Sequence, residues 1–308
     1  MKIALLFSGQ GAQVVGMGKE LYDNYKTAKE LFQLADDTLG QSISKICFEG
    51  PDTELLKTEN TQPAVLLISY IAYRLLKENG VESDLFAGFS LGEYSALTAA
   101  GVIDIADALK LVRERGRIIE STVPAGKGAM AAILGLDDEK VEDICRRAGG
   151  VVVPVNYNCP GQLVISGEKE AVLKACDIAE QEDAKRTVVL NVSGPFHSPL
   201  LVPGAEKLKK VLDGVKFNQT ANKVYSNVTA ELHDLSDCKA ALVKQMHSPV
   251  LWSKIINNMI RDSYDTFIEC GPGKTLRGFM RSIDKTKKAL NVENIESLNA
   301  TLEHCKNA

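Results

Sequence analysis

The tightest constraint in this chain is a five-residue turn, Gly88-Phe89-Ser90-Leu91-Gly92. Before it, Ser83–Phe89 is a short run of small and apolar residues that reads as a strand. After it, Gly92–Ala100 reads as a helix that Gly101 stops. G-x-S-x-G between a strand and a helix is the pattern of a nucleophile elbow. The reason is steric. The chain turns too sharply for side chains at the flanking positions, so glycine stands at both. Ser90 is then held exposed at a helix start, where the helix N-terminus and the Leu91 backbone N–H can stabilise an oxyanion. The same residues without chemistry would be a plain Gly/Ser turn; the strand and helix around them favour the chemical reading.

The rest of the chain fits this start. Ile3–Phe7 is an apolar run ended by glycine and predicts a buried strand, followed by helical patterns to about Asn79. Asp104 is placed to cap a long helix reaching Glu120. Alternation of this kind predicts a mostly parallel sheet with helices on both faces. From Gly128 to Val192 the order changes. Strand Ala129–Leu136, helix Asp137–Ala148, strand Val151–Asn156, a turn at Asn158-Cys159-Pro160-Gly161, strand Gln162–Ser166, helix Glu168–Glu182 and strand Lys185–Val192 follow one another. That is β-α-β-β-α-β, the ferredoxin-like order. Pro124–Gly128 and Ser193-Gly194-Pro195 read as hinges. The expected α/β fold therefore has a large domain, residues 1–125 and 196–308, and an inserted ferredoxin-like domain, residues 126–195. Alternation resumes after Pro199, and strand Thr266–Cys270 runs into Gly271-Pro272-Gly273 and a basic helix.

Composition narrows the function classes. The chain has 308 residues, 45% hydrophobic and 25% charged, enough for a sizeable globular core. A net charge of −4 gives no support to nucleic-acid binding. No apolar run approaches the ~20 residues that cross a bilayer. Met1–Phe7 breaks at once into Ser8-Gly9-Gln10-Gly11 and reads as a strand, not a leader. Seven cysteines, scattered and without C-x-x-C, predict reduced thiols in a cytoplasmic protein. No Cys/His cluster has metal-ligand spacing, so no metal is expected.

A serine nucleophile needs a general base. The chain offers four histidines. His304 lies in a polar tail and His233 in the polar turn Glu231-Leu232-His233-Asp234. His247 ends a helix before Ser248-Pro249. His197 follows the apolar strand Val188–Val192 and a short loop, the position where α/β sites are built. His197 is favoured, with His247 next. An ordinary α/β-hydrolase runs Ser, acid, His. No acid stands out between Ser90 and His197, so the third member is missing or neutral. That argues against a simple esterase.

The helix after Asp104 carries a second clue. Ile105, Ala108, Leu109, Val112, Gly116 and Ile119 form its apolar face; Lys110, Arg113, Glu114 and Arg117 form the other. Arg115 points with the apolar set, towards its edge. A guanidinium keeps its charge, so burial without a partner is costly. Arg115 must snorkel to solvent, pair with a carboxylate, or face a cavity that receives an anion. Beside a nucleophilic serine, the third option means an acyl group with a free carboxylate, gripped bidentately.

Several segments now stand in one order: Ser8-Gly9-Gln10-Gly11-Ala12-Gln13, Gly88–Ala96, Arg115, Val155–Gln162, Asn191–His197 and Glu269–Gly273. Together they resemble the malonyl-CoA:acyl carrier protein transacylases nearly end to end. The resemblance implies a hydrolase-like large domain with a ferredoxin-like insertion. It implies Ser90 as nucleophile and His197 as its base, oriented by the backbone carbonyl of Gln245. Backbone N–H groups of Gln10 and Leu91 would form the oxyanion hole. Arg115 would bind the malonyl carboxylate, and Gln62 would line the site. Phe196 is similar to the malonyl-selecting versions of related domains. Two positions depart from the family's usual pattern: Phe89 stands where His is frequent, and Ser8 where Pro is frequent. Gly271-Pro272-Gly273-Lys274-Thr275 is not a P-loop, because Ile268 stands where the first glycine belongs.

The implied reaction is ping-pong transfer from malonyl-CoA, through an ester on Ser90, to the phosphopantetheine thiol of an acyl carrier protein. Coenzyme A is the product and no cofactor is needed. A monomer is expected, with no nucleic acid or membrane as partner. Carrier proteins of this class are acidic, so an overall negative enzyme needs a local basic patch. Lys274, Arg277, Arg281, Lys285, Lys287 and Lys288 form one candidate, Lys185-Arg186 another; each is equally well read as a solvated face. Two other functions compete: a serine hydrolase, against which Arg115 and the absent acid tell, and a silent module that only presents acyl groups.

Overall fold

The computed structural model describes residues 1–124, 126–192 and 194–307. Ala125 and Ser193, which fall in the two expected hinges, lie outside the described residues, as does Ala308. The described residues form two sheets. One contains β1 (Ile3–Phe7), β2 (Leu85–Gly88), β7 (Lys223–Val224), β8 (Thr266–Cys270) and β9 (Lys288–Val292), in the order β7-β2-β1-β8-β9. All its pairings are parallel. Every residue of β1, β2 and β8 is buried, as expected for strands covered by helices on both faces.

The second sheet contains β3 (Gly128–Leu134), β4 (Val152–Cys159), β5 (Gln162–Glu168) and β6 (Arg186–Val189). Its order is β4-β5-β3-β6 and every pairing is antiparallel. Helices Asp138–Ala148 and Lys169–Gln181 bury their apolar faces against it. This is the ferredoxin-like arrangement. Asp137 caps the first of these helices, accepting from Lys140 N at 2.8 Å. Asp104 also stands before its helix, Ile105–Thr122, but its side chain makes no cap bond.

Strand β4 outruns its expected end at Asn156. It continues through Asn158 and Cys159, with register shifts after Pro154 and after Tyr157. Only Pro160-Gly161 then separates it from β5. The irregular stretch also bonds to the segment before helix Trp252–Arg261: Val250 N donates to Val155 O at 2.7 Å, and Tyr157 N to Val250 O at 3.0 Å.

The parallel sheet sets the position of the site. β1 and β2 are neighbours in register, Phe7 opposite Gly88. Their C-terminal ends deliver Ser8-Gly9-Gln10 and Phe89-Ser90-Leu91 to the same edge. Behind them runs the buried helix Thr58–Glu78, crossed closely by Ile105–Thr122. Gly116 permits the approach, since a Cβ there would lie 2.7 Å from Thr58 O. Among the described residues, no helix is long and apolar enough to cross a membrane.

Candidate active site

The turn at Ser90 is as tight as its glycines imply. A Cβ on Gly88 would lie 1.8 Å from Gly92 O, and one on Gly92 would lie 2.1 Å from Phe7 O. Ser90 itself has φ 53° and ψ −105°, a conformation that costs about 1–3 kcal/mol and persists only where its surroundings impose it. The imposing group is Asn227. Its Oδ1 accepts from Ser90 N at 2.7 Å and its Nδ2 donates to Gly88 O at 2.7 Å. Phe89, the departure from the family pattern, packs in an aromatic cluster with Trp252 and Phe279, at centroid distances of 5.6 and 6.1 Å. Ser8, the other departure, donates to the buried Glu269 at 3.2 Å.

His197 Nε2 lies 2.7 Å from Ser90 Oγ, and Nδ1 lies 2.8 Å from the backbone carbonyl of Gln245. A carbonyl only accepts, so Nδ1 carries the proton and Nε2 presents its lone pair to Ser90. Burial lowers the histidine pKa to about 4, helped by the Arg115 charge and opposed by hydrogen bonds to backbone at Gln245 and Ser248. The ring is therefore neutral near pH 7, the state a base needs. His247 is not among the residues lining this cleft.

Arg115 is 1% exposed, and among the described residues it pairs with no carboxylate. Nη1 donates to Gln62 Oε1 at 3.0 Å, and Nη2 to Gln245 Oε1 at 3.1 Å and to Ser90 Oγ at 3.4 Å. The guanidinium also lies 5.1 Å from the Tyr94 ring centroid. Of the three resolutions open in the sequence, snorkelling and carboxylate pairing are absent. What remains is a positive charge held by neutral oxygens beside Ser90.

Gln10, Ser90, Leu91, Arg115, Asn156, Phe196 and His197 line one cleft, with Phe89, Met130, Leu190 and Val192 as its apolar walls. The backbone N–H groups of Gln10 and Leu91 make no hydrogen bond among the described residues, so both donors are free at the cleft. Gln62 is fully buried behind Arg115, and among the described residues its Nε2 has no partner.

The basic residues are not brought into this cleft. Lys274 and Arg281 are exposed, as are Lys185 and Arg186 on the antiparallel sheet. Arg277 is half-buried and donates to Asn291 Oδ1 at 2.8 Å. Lys274 and Arg277 line a separate groove that also carries Glu293 and Glu296.

Three parts of the site escaped the sequence reading. Asn227 is one. The side chain of Gln245 is another, since only its carbonyl was expected to act. The third is the buried pair Glu93–His233, at 2.6 Å, next to Gln245. His233 looked like a surface turn residue. The one local signal was Glu93, a charge in the otherwise small and apolar start of the elbow helix.

The chain matches the acyl transferase domain model over residues 4–300. It is 46% identical to a malonyl CoA-acyl carrier protein transacylase of Bacillus subtilis, covering 99% of this chain and 98% of that one. The crystal structure of a malonyl CoA-acyl carrier protein transacylase from Clostridium perfringens superposes with a TM-score of 0.96 at 42% identity, over 100% of this chain and 98% of that one. A malonyl-transacylase solved in complex with a type II PKS acyl-carrier protein superposes with a TM-score of 0.96 at 40% identity, over 99% and 100%. A serine elbow, a neutral histidine and an unpaired buried cation, on a fold shared end to end with these proteins, have one explanation: the chain belongs to the acyl transferase domain family and, within it, to the malonyl CoA-acyl carrier protein transacylases.

Proposed function

We propose that this chain transfers a malonyl group from malonyl-CoA to the phosphopantetheine thiol of an acyl carrier protein, through an ester on Ser90. The observation that carries this reading is Arg115 Nη2, 3.4 Å from Ser90 Oγ and, among the described residues, without a carboxylate partner. In a malonyl group one methylene separates the reacting carbonyl from the free carboxylate. A cation that grips that carboxylate must therefore sit within a few ångströms of the nucleophile, as Arg115 does. Gln62 and Gln245 hold the guanidinium with neutral oxygens and leave its charge for the substrate.

In this mechanism His197 Nε2 takes the proton of Ser90 Oγ as the oxygen attacks the thioester carbon. The N–H groups of Gln10 and Leu91 hold the tetrahedral oxyanion. The C–S bond breaks, and the imidazolium returns its proton to the leaving thiolate of coenzyme A. The carrier thiol then attacks the ester, giving its proton to His197, and Ser90 leaves with that proton. One thioester replaces another, so the reaction runs either way and needs no metal or redox cofactor. Phe196 and the apolar walls narrow the cleft against a branched acyl group and against water. The division into residues 1–125 and 196–308 with an insertion of residues 126–195 gives the cleft one wall from each sheet. The exposed Lys274, Arg281, Lys185 and Arg186 are the proposed contacts for an acidic carrier protein, with Arg277 contributing less because Asn291 holds it. The enzyme is read as a cytoplasmic monomer.

Intact-protein mass after brief exposure to malonyl-CoA tests the proposal. The expected result is a malonyl adduct that Ser90→Ala abolishes and carrier protein discharges. Free malonate without an adduct would mean that water is the acceptor and the chain is a hydrolase.

A further inference from the structure

Glu93 is fully buried behind the site and is not among the residues that line the cleft. Its Oε1 lies 2.6 Å from His233 Nε2, and its Oε2 accepts from Gln245 Nε2 at 2.7 Å. The same Gln245 nitrogen donates to Ser90 O at 2.8 Å, while Gln245 Oε1 accepts from Arg115.

The two ends of a glutamine amide are almost identical in shape, and only their partners decide which way round it sits. A carboxylate offers acceptors alone. The end of Gln245 that faces Glu93 must therefore be the NH₂, and the end that faces Arg115 must be the oxygen. Flipping the amide would set donor against donor at Arg115 and leave Glu93 without its donor.

We propose that Glu93, with His233 as its counter-charge, is a positioning residue that fixes the orientation of the Gln245 amide and, through it, the aim of Arg115 at the substrate carboxylate. This inference rests on the transferase reading above. His233 supplies the balance. The side chains of Glu93 and His233 are 0% and 2% exposed, and a lone carboxylate there would be strongly disfavoured. Burial alone would lower the His233 pKa, but contacts with Cys238 and Glu93 outweigh it and raise the pKa to about 10. The pair is thus zwitterionic and close to neutral overall. It orients Gln245 without cancelling the charge of Arg115. The other groups facing the pair are Tyr94, Arg115, Cys238 and Gln245.

A merely structural staple between the elbow helix and the His233 turn would affect all substrates alike. A positioning role would affect substrates that carry a carboxylate. The test is the ratio of malonyl to acetyl loading rates on Ser90, measured from malonyl-CoA and acetyl-CoA in the full-length protein. Glu93→Gln removes the carboxylate acceptor of the Gln245 NH₂ and leaves that end held by Ser90 O alone at close range, at 2.8 Å, so the amide is held less firmly. The expected ratio falls about tenfold, with acetyl loading retained, as for a lost hydrogen bond to a charged group. Glu93→Asp, which keeps an acceptor-only partner, is expected to recover most of the ratio. An unchanged ratio in folded Glu93→Gln, or an equal loss of both rates, overturns the inference. If Glu93→Gln does not fold, His233→Gln is read in the same way: a lowered ratio supports the inference and an unchanged one overturns it. If the wild type forms no malonyl adduct at all, the failure lies with the transferase reading instead.

Discussion

Asn227 grips Ser90 across 137 residues of chain, accepting from its backbone N–H while donating to the carbonyl two residues before it. The strained elbow is thus held from outside as well as by its glycines. Asn227→Ala leaves a buried N–H and a buried C=O unpaired, at about 1–3 kcal/mol each. The expected outcome is a lower melting temperature and a loading rate reduced at least about tenfold, with KM for malonyl-CoA changed less. Rapid-quench kinetics with melting curves checks this.

Arg115→Gln keeps a polar side chain but removes the charge. Malonyl loading should drop about a hundredfold, the worth of a charge-assisted bidentate contact. Acetyl loading should hold or rise. Arg115→Lys should recover only part of the loss, because an ammonium cannot grip a carboxylate with two parallel bonds. Competition between the two acyl-CoA substrates gives the ratio directly.

The low pKa of His197 predicts an unusual pH profile. The base works when unprotonated, and it stays so until the pH falls to about 4. The rate of acetyl loading, which carries no substrate carboxylate to titrate, should therefore be flat from neutral pH well into the acid range. Arg115 contributes to the depression. In Arg115→Gln the acid limb should move up, towards the ordinary histidine range. An acid limb at the same pH in both proteins would count against this assignment.

His233 predicts the opposite slope for stability. Its pKa is about 10 in the folded protein against 6.5 for a free histidine. A raised pKa stabilises the fold fully below the unfolded value and loses that contribution as the pH climbs through the folded one. Melting temperature should decline between about pH 7 and 10, and His233→Gln should flatten that decline. Calorimetry across this range decides it.

What the sequence reveals here follows from the range of the forces involved. Gly88 and Gly92 are dictated by backbone collisions within the turn itself and with β1, so the elbow is legible from five residues. Arg115 is legible because helical periodicity places it among apolar neighbours. Asn227 and His233 act across long stretches of chain, from turns whose local pattern is that of any solvated loop. Asn227 meets Gly88 and Ser90, and His233 meets Glu93, only once the chain has folded back on the elbow. The end of β4 was misjudged for a related reason. Asn158, Pro160 and Gly161 favour a turn by type, but the pairing of Cys159 with Gln162 of β5, across a register shift, carries the strand past Asn158.

The carbonyl of Gln245 is where many serine enzymes place an acid. A carbonyl orients His197 without adding a negative charge. Two like charges about 6 Å apart, at an effective dielectric constant of 20, repel by roughly 3 kcal/mol. A carboxylate behind His197 would impose a penalty of that kind on the incoming malonyl anion. It would also hold the imidazolium more firmly, making it a poorer donor to the departing thiolate. By giving up the acid, the site becomes an anion receptor first and a proton shuttle second.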